Sequence, residues 1–324
     1  MTSDALREQI SAIVPTFDGM HLLRGCVCRL ACVASSLSIA VVDDASTDGT
    51  LDMLRSDFPC VRVVARTTNG GFSAAVNDGI RATDSEFVVL LNNDVEVTPG
   101  FLDPILPMFE DESVFAVSPS ILLPKRGNID EGCKTGFWHH GMFYADQQQG
   151  VTDVRPTLYA CGCAAVYRRS MLEQLGGFDE AYSPFYWEDV DLGYRAWKRG
   201  WKSLYQPASM VYHQHAATVS RLDKRFTESI KLRNAYQFVW RNIDSPRLVA
   251  SHRRWLPYIL MKSMLVGRRD FVTGWWKAIP HRDECLAVRR QDSIHRVMSD
   301  EEILTICGND TSRSPSSSPK ELKL

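Results

Sequence analysis

The sequence contains no long uninterrupted apolar segment. The best candidate in its 324 residues runs from Trp255 to Val266 and is broken by Pro257 and Lys262. A membrane-spanning helix needs a run of about 18 or more apolar residues. The first residues, Met1 to Asp4, also lack the basic flank and apolar core of a signal peptide. These absences predict a cytoplasmic protein that does not span a membrane.

Paired-cysteine motifs are also scarce. The nine cysteines are an odd number, none are spaced as Cys-x-x-Cys, and two pairs are spaced as Cys-x-Cys, at Cys26/Cys28 and Cys161/Cys163. This usage predicts reduced, mostly structural thiols rather than a disulfide framework or a zinc site.

The common nucleotide-binding loops are missing. No Gly-x-Gly-x-x-Gly follows the first predicted strand, and no Gly-x-x-x-x-Gly-Lys-Ser/Thr occurs anywhere. Dinucleotide-dependent oxidoreductases and P-loop nucleotide hydrolases are therefore disfavoured. With 44% hydrophobic residues, the chain can build one large or two modest cores.

The net charge of -2 is unevenly distributed along the chain. Residues 221–305 carry 17 Lys and Arg against 10 Asp and Glu, residues 306–324 carry 3 against 2, and residues 1–220 therefore hold a net -10. An acidic first part beside a basic second part predicts two regions with different partners. No nucleic-acid partner is predicted.

Short apolar segments alternate with amphipathic ones through the first hundred residues. The predicted strands cover residues 11–15, 38–42, 61–65 and 87–91, and helical patterns lie between them. This alternation predicts a doubly wound α/β sheet. Acidic residues follow two of the strands, at Asp43, Asp44 and Asp94, and the carboxyl ends of parallel strands converge on one crevice.

The strand Phe87–Leu91 is the clearest of these elements. Five apolar residues stop abruptly at Asn92, Asn93 and Asp94. A carboxylate in this position suits Mg²⁺ or Mn²⁺ held together with the phosphates of a substrate. The alternative is a simple Asn/Asp turn that closes the strand.

Four segments together resemble the family 2 glycosyltransferases, over about residues 10–240, with the closest similarity to a bacterial rhamnosyltransferase-like branch. They are Ile13–Phe17, Val41–Asp48, Asn69–Phe72 and Leu90–Asp94, and a fifth match is Gly176–Glu180 followed by Trp187–Leu192. The resemblance implies the GT-A fold, a mixed and mostly parallel sheet flanked by helices, here followed by a C-terminal helical extension. It also implies inverting transfer of a sugar from a nucleotide-diphosphate donor, dTDP-rhamnose or a UDP-sugar, with Mn²⁺ or Mg²⁺ as cofactor. The implied acceptor is a hydroxyl of a glycan or lipid-linked saccharide.

The same resemblance assigns roles to individual residues. Asp94 and His213 are implied as metal ligands, and Asp189, with Glu188 beside it, as the catalytic pair. The residues implied in donor binding are Pro15, Thr16, Phe17, Asp44, Asn69, Asn77 and Asn93. For Asp44, a carboxylate can accept the imide N–H of uracil or thymine. The chain departs from the family pattern at Asn92, where a second acid often stands, so one carboxylate must serve the metal.

The segment from Glu188 to Arg195 also has a simple physical interpretation. Glu188 and Asp189 are predicted in the first turn of a helix, where the macrodipole favours ionised carboxylates. A general base must be ionised to accept a proton. Asp191 lies four residues before Arg195, and this spacing predicts an ion pair on the helix surface.

The predicted organisation has three parts. Residues 1–220 form the catalytic domain, with a nucleotide-sugar half at about 10–100 and an acceptor half at about 101–220. Within it, residues 125–155 are predicted as an irregular loop on the acceptor side, which contains His139 and His140.

The second part, residues 221–305, is predicted to be helical, and the last, residues 306–324, to be a disordered tail. Basic helices that carry aromatic residues suit peripheral contact with the cytoplasmic face of the inner membrane and a lipid-linked acceptor. A packing subdomain or a homodimer interface is the alternative.

Two other functions remain open at this point. A sugar nucleotidyltransferase would need a Gly-rich loop with Arg and Lys after the first strand, and Pro15–Gly19 is not such a loop. A nucleotide-sugar-binding module without catalysis is disfavoured by the presence of both Asp94 and the Glu188–Asp189 pair, although Asn92 keeps it open.

Overall fold

The computed structural model describes residues 9–34, 37–214 and 223–308. These residues divide into two compact units, the first made of 9–134 and 147–214 and the second of 135–146 and 223–308. Most of the predicted disordered tail, from residue 309 onward, lies outside the described residues.

Strands make up most of the first unit. The described residues contain twelve strands: β1 Ile10–Thr16, β2 Ser38–Asp43, β3 Arg62–Ala65, β4 Phe87–Leu91, β5 Val95–Val97, β6 Val114–Leu123, β7 Ile129–Asp130, β8 Lys134–His139, β9 Met142–Gln147, β10 Arg155–Pro156, β11 Ala164–Arg168 and β12 Lys202–His213. Ten of them form one sheet in the order β10-β12-β6-β11-β4-β1-β2-β3, with β5 on β12 and β7 on β6.

The centre of this sheet is parallel. Strand β1 pairs in parallel with β2 and with β4, and β3 extends the sheet beside β2, also in parallel. Strand β11 enters antiparallel between β4 and β6. Side chains of β1 alternate between two hydrophobic cores, with Ala12 and Val14 in one and Ile13 in the other, as expected for a strand covered on both faces. The predicted mixed α/β sheet is confirmed.

Five helices flank the sheet: α1 Met20–Val33, α2 Thr50–Asp57, α3 Phe72–Arg81, α4 Arg169–Gln174 and α5 Glu188–Lys198. Short 3₁₀ turns cover Leu106–Glu110, Pro124–Arg126 and Glu180–Tyr182. Helix α3 lies close to the sheet because Gly79 has no side chain: an added Cβ there would collide with Ile13.

The prediction of an irregular loop over residues 125–155 is wrong. Strands β8 and β9 form a two-stranded hairpin, most of which belongs to the second unit. His140 and Gly141 make its turn, with φ of 46° and 75°. Two successive residues with positive φ are typical of the tight turns that match the twist of a hairpin. Within the second unit, the Trp138 indole N–H donates to Ser251 Oγ at 3.1 Å.

The rest of the second unit is helical, which confirms the predicted C-terminal helical extension. Its helices are α6 Lys224–Asn242, α7 Pro246–Leu265, α8 Arg269–Ala278, α9 Arg282–Asp292 and α10 Asp300–Ile306, with 3₁₀ turns at Ile279–His281 and Ser293–His295. A neutral His252 joins α6, α7 and the hairpin: Trp240 Nε1 donates to its Nε2 at 3.1 Å, and its Nδ1 lies 2.7 Å from the carbonyl oxygen of Gly141. Burial lowers the pKa of His252. Among the helices that the structure describes, none combines the length and the apolar character needed to cross a bilayer.

Candidate active site

The ends of three neighbouring strands bring predicted donor-binding residues together. Strand β1 ends at Thr16 between β2 and β4. The Asn93 amide nitrogen donates to Thr16 Oγ1 at 2.8 Å, and the backbone N–H of Asp44 donates to the carbonyl oxygen of Thr16 at 2.9 Å. The carboxyl edge of the sheet therefore gathers residues 77 positions apart in the sequence into one hydrogen-bonded group.

Asp44 organises the turn that precedes α3. Its two carboxylate oxygens accept the backbone N–H groups of Gly70 and Gly71, each at 2.9 Å, and Oδ1 lies 2.9 Å from Arg66 Nε. Asn69 Oδ1 also accepts from the Gly71 N–H, at 3.2 Å. A carboxylate has about four acceptor positions. The two N–H groups of the turn occupy two of them, and the Arg66 guanidinium lies beside the carboxylate as an ion pair.

The loops after β1 and β2 are bound to each other by Asp18, a residue that the sequence analysis did not identify. Its Oδ1 accepts the N–H of Thr47 at 2.7 Å, and its own N–H donates to Ser46 Oγ at 2.9 Å. Asp18 has a φ of 45°, a conformation that Asp tolerates better than most residues. Beside it, Phe17 is 37% exposed at the edge of the sheet, and Pro15 is buried within β1.

Asn77 is placed differently from the other predicted donor-binding residues. It is buried on α3, where its Nδ2 donates to the carbonyl oxygen of Phe178 at 2.9 Å and to Glu180 Oε1 at 3.0 Å. Its Oδ1 accepts from the N–H of Phe178 at 3.0 Å. Both amide hydrogens of Asn77 are thus used to join α3 to the segment before α5.

Asp94 and His213 lie side by side. His213 ends β12 directly opposite Val95, the first residue of β5, and its Nε2 is 3.2 Å from Asp94 Oδ1. Burial by itself would lower the pKa of His213, but the hydrogen bond to Asp94 and the negative charge of that carboxylate raise it. Glu131 Oε2 lies 4.0 Å from the other ring nitrogen.

This pair has the chemistry of a small metal site. Two ligands on adjacent positions of an octahedral ion, with bonds of about 2.1 Å, are separated by about 3 Å. The observed 3.2 Å is close to that separation. Among the described residues there is no group of three or more His, Cys, Asp or Glu that could hold a metal ion. Asp94 and His213 could therefore supply two ligands and leave the rest to substrate phosphates and water, as is common for Mg²⁺.

Glu188 and Asp189 begin α5, as predicted, but their environments differ. Asp189 Oδ2 accepts the N–H of Gly162 at 3.1 Å, and Oδ1 accepts that of Val190 at 2.8 Å. Glu188 Oε2 is buried and has no hydrogen-bond partner. Hydrogen bonds to a carboxylate favour its ionised form, and burial favours the neutral form.

The two carboxyls are therefore expected in opposite protonation states. Burial, followed by the charge of Asp189, raises the pKa of Glu188 to about 8. Burial also raises the pKa of Asp189, but the Gly162 N–H and the charge of Lys134 act against the increase. The expectation that the helix start keeps both carboxylates ionised fails for Glu188, because its burial outweighs the macrodipole. The two N–H donors and the charge of Lys134 thus favour the ionised form of Asp189, whereas burial favours the protonated form of Glu188.

Lys134 is a further charged residue that the sequence analysis missed. It is only 8% exposed, and its Nζ lies 5.9 Å from the centre of the Tyr159 ring. Burial opposes its charge, but surrounding negative groups, with Cys161 and Glu131 first among them and Asp189 included, raise the pKa of Lys134. The sequence around Lys134 contains no motif, and most of the residues that approach its side chain in the fold are distant along the chain.

Asp191 forms the predicted ion pair with Arg195, but the prediction that this pair lies on the helix surface is wrong. Asp191 does bind Arg195, with 2.7 Å between Oδ2 and Nε, but it is fully buried and also accepts the Tyr182 hydroxyl at 3.0 Å. Helix α5 is covered in this region: Gly193 faces Tyr159 so closely that any larger residue would collide with it. Spacing along a helix predicts which side chains meet, but it does not predict what covers them.

The chain is similar to known proteins in sequence and in fold. The family model described as "Glycosyl transferase family 2" matches residues 11–176, just over half of the chain. An N-acetylglucosaminyl-diphospho-decaprenol L-rhamnosyltransferase of Mycobacterium tuberculosis is 27% identical over 288 residues, which cover 80% of this chain and 83% of that protein.

Two solved structures share the fold. TarS of S. aureus in complex with UDP-GlcNAc aligns with a TM-score of 0.57 and 15% identity over 88% of each chain. The mannosyltransferase PcManGT of Pyrobaculum calidifontis, in complex with GDP-Man and Mn²⁺, aligns with a TM-score of 0.53 and 15% identity over 88% of this chain and 87% of that chain.

Proposed function

The chain belongs to glycosyl transferase family 2, and on that premise we propose that it is an inverting, metal-assisted transferase in which Asp189 is the general base. Its activity is the transfer of a sugar from a nucleotide-sugar donor in the synthesis of polysaccharide or lipid-linked glycan. The observation that carries the proposal is the contrast between Asp189, both of whose carboxylate oxygens accept a backbone N–H, and its neighbour Glu188, whose Oε2 is buried without a hydrogen-bond partner among the described residues.

Asp189 has the properties that base catalysis requires. The Gly162 and Val190 N–H groups fix the orientation of its carboxylate, and the nearby Lys134 charge favours the ionised state. We assign to Asp189 the removal of the proton from the acceptor hydroxyl. The acceptor oxygen attacks the anomeric carbon from the face opposite to the departing nucleoside diphosphate, which inverts the configuration. The proton on Glu188 keeps a second negative charge away from the base.

The donor is assigned to the carboxyl edge of the sheet. The residues that would contact it are Pro15, Thr16, Phe17, Asp44, Asn69 and Asn93, and Asn77 would support that edge from α3. The Asp44 carboxylate suits the imide N–H of uracil or thymine, so we propose a UDP or dTDP donor. The mycobacterial relative is a rhamnosyltransferase, which favours dTDP-rhamnose as the donor.

The residues at the end of β12 and in the β4–β5 turn are assigned to a divalent cation. Asp94 and His213 would hold Mn²⁺ or Mg²⁺, which when bound would supply positive charge to the departing diphosphate. The imidazole makes Mn²⁺ at least as acceptable as Mg²⁺. The solved neighbour PcManGT contains Mn²⁺, which supports this assignment.

The second unit carries a surface suited to a lipid-linked acceptor. Six large apolar side chains on α7, just after it and on α8 are between 42% and 78% exposed, and we name them the apolar rim: Tyr258, Met261, Met264, Leu265, Val266 and Trp276. Lys262 and Arg268 lie among them in the sequence. Exposed apolar side chains together with basic ones favour the surface of an anionic bilayer. We propose peripheral contact of the rim with the cytoplasmic face of the inner membrane, with a homodimer interface as the alternative.

The test is a donor panel. The purified protein is incubated with dTDP-rhamnose, UDP-sugars and GDP-sugars, with a GlcNAc-diphospho-lipid acceptor, and with Mn²⁺, Mg²⁺ or a chelator. Release of nucleoside diphosphate that depends on acceptor and metal is expected. Formation of nucleoside triphosphate and sugar 1-phosphate when pyrophosphate is added would instead identify a nucleotidyltransferase, and binding without release would identify a module that lacks catalysis. Thermal shifts with dTDP and UDP compare the two pyrimidines directly.

A further inference from the structure

Two cysteines flank the glycine that binds the proposed base. Cys161 and Cys163 lie on either side of Gly162, and their sulfur atoms are 3.4 Å apart. Cys161 is partly exposed, and Cys163 is only 6% exposed. The sulfurs of a disulfide are about 2.05 Å apart, so these two need to approach by about 1.4 Å. Closing the ring over a single intervening residue constrains the backbone at Gly162 as well as the two side chains.

The backbone of this tripeptide contacts both parts of the candidate site. The N–H of Gly162 donates to Asp189 Oδ2 at 3.1 Å. The carbonyl oxygen of Cys163 accepts the N–H of Asn92 at 2.8 Å, at the start of the turn that carries Asp94. A change in the backbone between Cys161 and Cys163 would therefore reach the orientation of the base directly.

The two thiols are not equivalent. The contact with Cys163 lowers the pKa of the Cys161 thiol, and the charge of Lys134 acts in the same direction. The pKa of Cys163 is raised by the same contact and by burial. A partly exposed thiolate beside a second thiol is the usual arrangement of an oxidisable pair, in which one cysteine attacks and the other resolves.

We propose that Cys161 and Cys163 form an oxidative modification site that closes to a disulfide and reversibly switches off transfer. The Cys161 thiolate attacks a hydroperoxide; the O–O bond breaks, an S–O bond forms, and the alcohol or water that leaves takes up a proton. The Cys163 thiol then attacks the resulting sulfenic acid, an S–S bond forms, and water leaves with the thiol proton. The functional part of this inference rests on the proposed role of Asp189, because closure turns the Gly162 N–H away from that carboxylate.

The experiment uses the full-length chain with its three exposed cysteines replaced (Cys28→Ser, Cys32→Ser, Cys60→Ser), so that surface thiols do not react. This background protein is treated briefly with hydrogen peroxide. Peptide mass spectrometry then follows the segment that contains both cysteines, and nucleoside diphosphate release is measured in parallel. We expect the segment to lose two hydrogen atoms, turnover to fall by at least about tenfold as base catalysis is impaired, and dithiothreitol to restore both.

Two matched variants in the same background assign the roles of the two thiols. Cys161→Ala removes the attacking thiol, so neither the mass nor the turnover should respond to peroxide. Cys163→Ala removes the resolving thiol, so a sulfenic acid should persist at Cys161 and react with dimedone. Thermal unfolding of the reduced variants checks that each one folds.

A segment that stays fully reduced under peroxide, or a disulfide that leaves turnover unchanged, would overturn the proposal. Failure of the proposed function is distinguishable, because the reduced protein would then turn over none of the nucleotide sugars. The mass measurement would still decide whether the disulfide forms.

Discussion

Asp189→Asn replaces the proposed proton acceptor with a neutral amide of nearly the same size. The amide oxygen can still accept the N–H of Gly162, which lies 3.1 Å from the carboxylate, while the hydrogen bond from the Val190 N–H is lost. The substitution therefore removes the proton acceptor and one hydrogen bond. We expect turnover to fall by about 10²–10⁴-fold, the usual contribution of acid–base catalysis, which corresponds to about 3–5 kcal/mol in the barrier.

The same substitution should leave the fold almost unchanged. Within the part of the chain that the structure describes, the Asp189 carboxylate is bound by two backbone N–H groups, and the substitution breaks no direct ion pair. It also removes a negative charge from beside the buried Glu188. The free energy of unfolding should therefore change by less than about 1 kcal/mol, the net contribution of a typical hydrogen bond.

Asp191→Asn, two positions along the same helix, is the matched control with the opposite expectation. It leaves the Arg195 guanidinium buried without its carboxylate, which lies 2.7 Å away in the structure. Loss of one partner from a buried ion pair costs about 3–5 kcal/mol of stability. Asp191 is fully buried and binds Arg195 and Tyr182. Its substitution should therefore lower turnover only by lowering the amount of folded protein.

The assay combines steady-state nucleotide release, donor titration and urea unfolding on both variants. The expected pattern is a catalytic defect with normal stability for Asp189→Asn, and lowered stability with normal turnover per folded molecule for Asp191→Asn. If Asp189→Asn keeps more than about a tenth of the wild-type turnover, the effect falls outside the range for a general base. Glu188 would then be the next residue to substitute.

Three further predictions follow from the site and the second unit. Asp94→Asn should abolish Mn²⁺-dependent binding of nucleoside diphosphate, measured by calorimetry, while Asp43→Asn should spare it; equal and small effects would remove Asp94 from the metal site. The stability of Glu188→Gln relative to wild type should increase as the pH rises from about 4.5 to about 8. Over that range the Glu188 carboxyl of the wild type ionises in the unfolded chain but stays protonated in the folded one, so the wild type loses stability and the glutamine variant does not. A difference in the free energy of urea unfolding that does not change with pH would contradict the raised pKa. Leu265→Glu on the apolar rim, where the leucine is 78% exposed, should weaken sedimentation with anionic vesicles by about tenfold or more, given the transfer energy of one leucine; unchanged binding would favour the dimer interface.

The elements that the sequence predicts well are those with local causes. Strand β4 is fully buried, and it ends at Leu91 because amides and a carboxylate follow, so both its boundary and the turn after it can be read directly from the residues. The helix start at Glu188 is predicted for a similar reason, since Gly-Gly and aromatic residues precede an acidic first turn. In each case one short segment contains the whole signal.

The β8–β9 hairpin was missed although its signal is also local. The segment around it is rich in Gly, Gln and Asp, which suggested an irregular loop. A shorter pattern indicates the hairpin: two stretches that carry aromatic and β-branched residues are separated by His140 and Gly141, a pair that can adopt positive φ. The composition of the thirty-one residues 125–155 gives no sign of a turn that two of them make.

The properties of the charged residues could not be predicted from spacing, because they depend on long-range contacts. The spacing of Asp191 and Arg195 predicts a pair, but its burial depends on Tyr182 and on the packing of α5 at Gly193. Lys134 is an ordinary lysine in the sequence, and only the fold places its charge near Asp189. Local patterns thus identify the acids, while the fold decides which of them is ionised.

The buried acids of the first unit are compensated in different ways, and the differences separate their roles. Each of four carboxylates has a hydrogen-bond donor or cation within 3.2 Å, and these are Asp44, Asp94, Asp189 and Asp191. For Glu188, one oxygen is buried without a hydrogen-bond partner, and its raised pKa shows that a proton takes the place of a cation. Asp191 has a full positive charge beside it and is therefore a weak base, whereas Asp189 has neutral N–H donors and a more distant lysine. The N–H donors and the lysine favour the ionised form of Asp189 without a cation bound to it, which is the condition under which a carboxylate can accept a proton from an attacking hydroxyl.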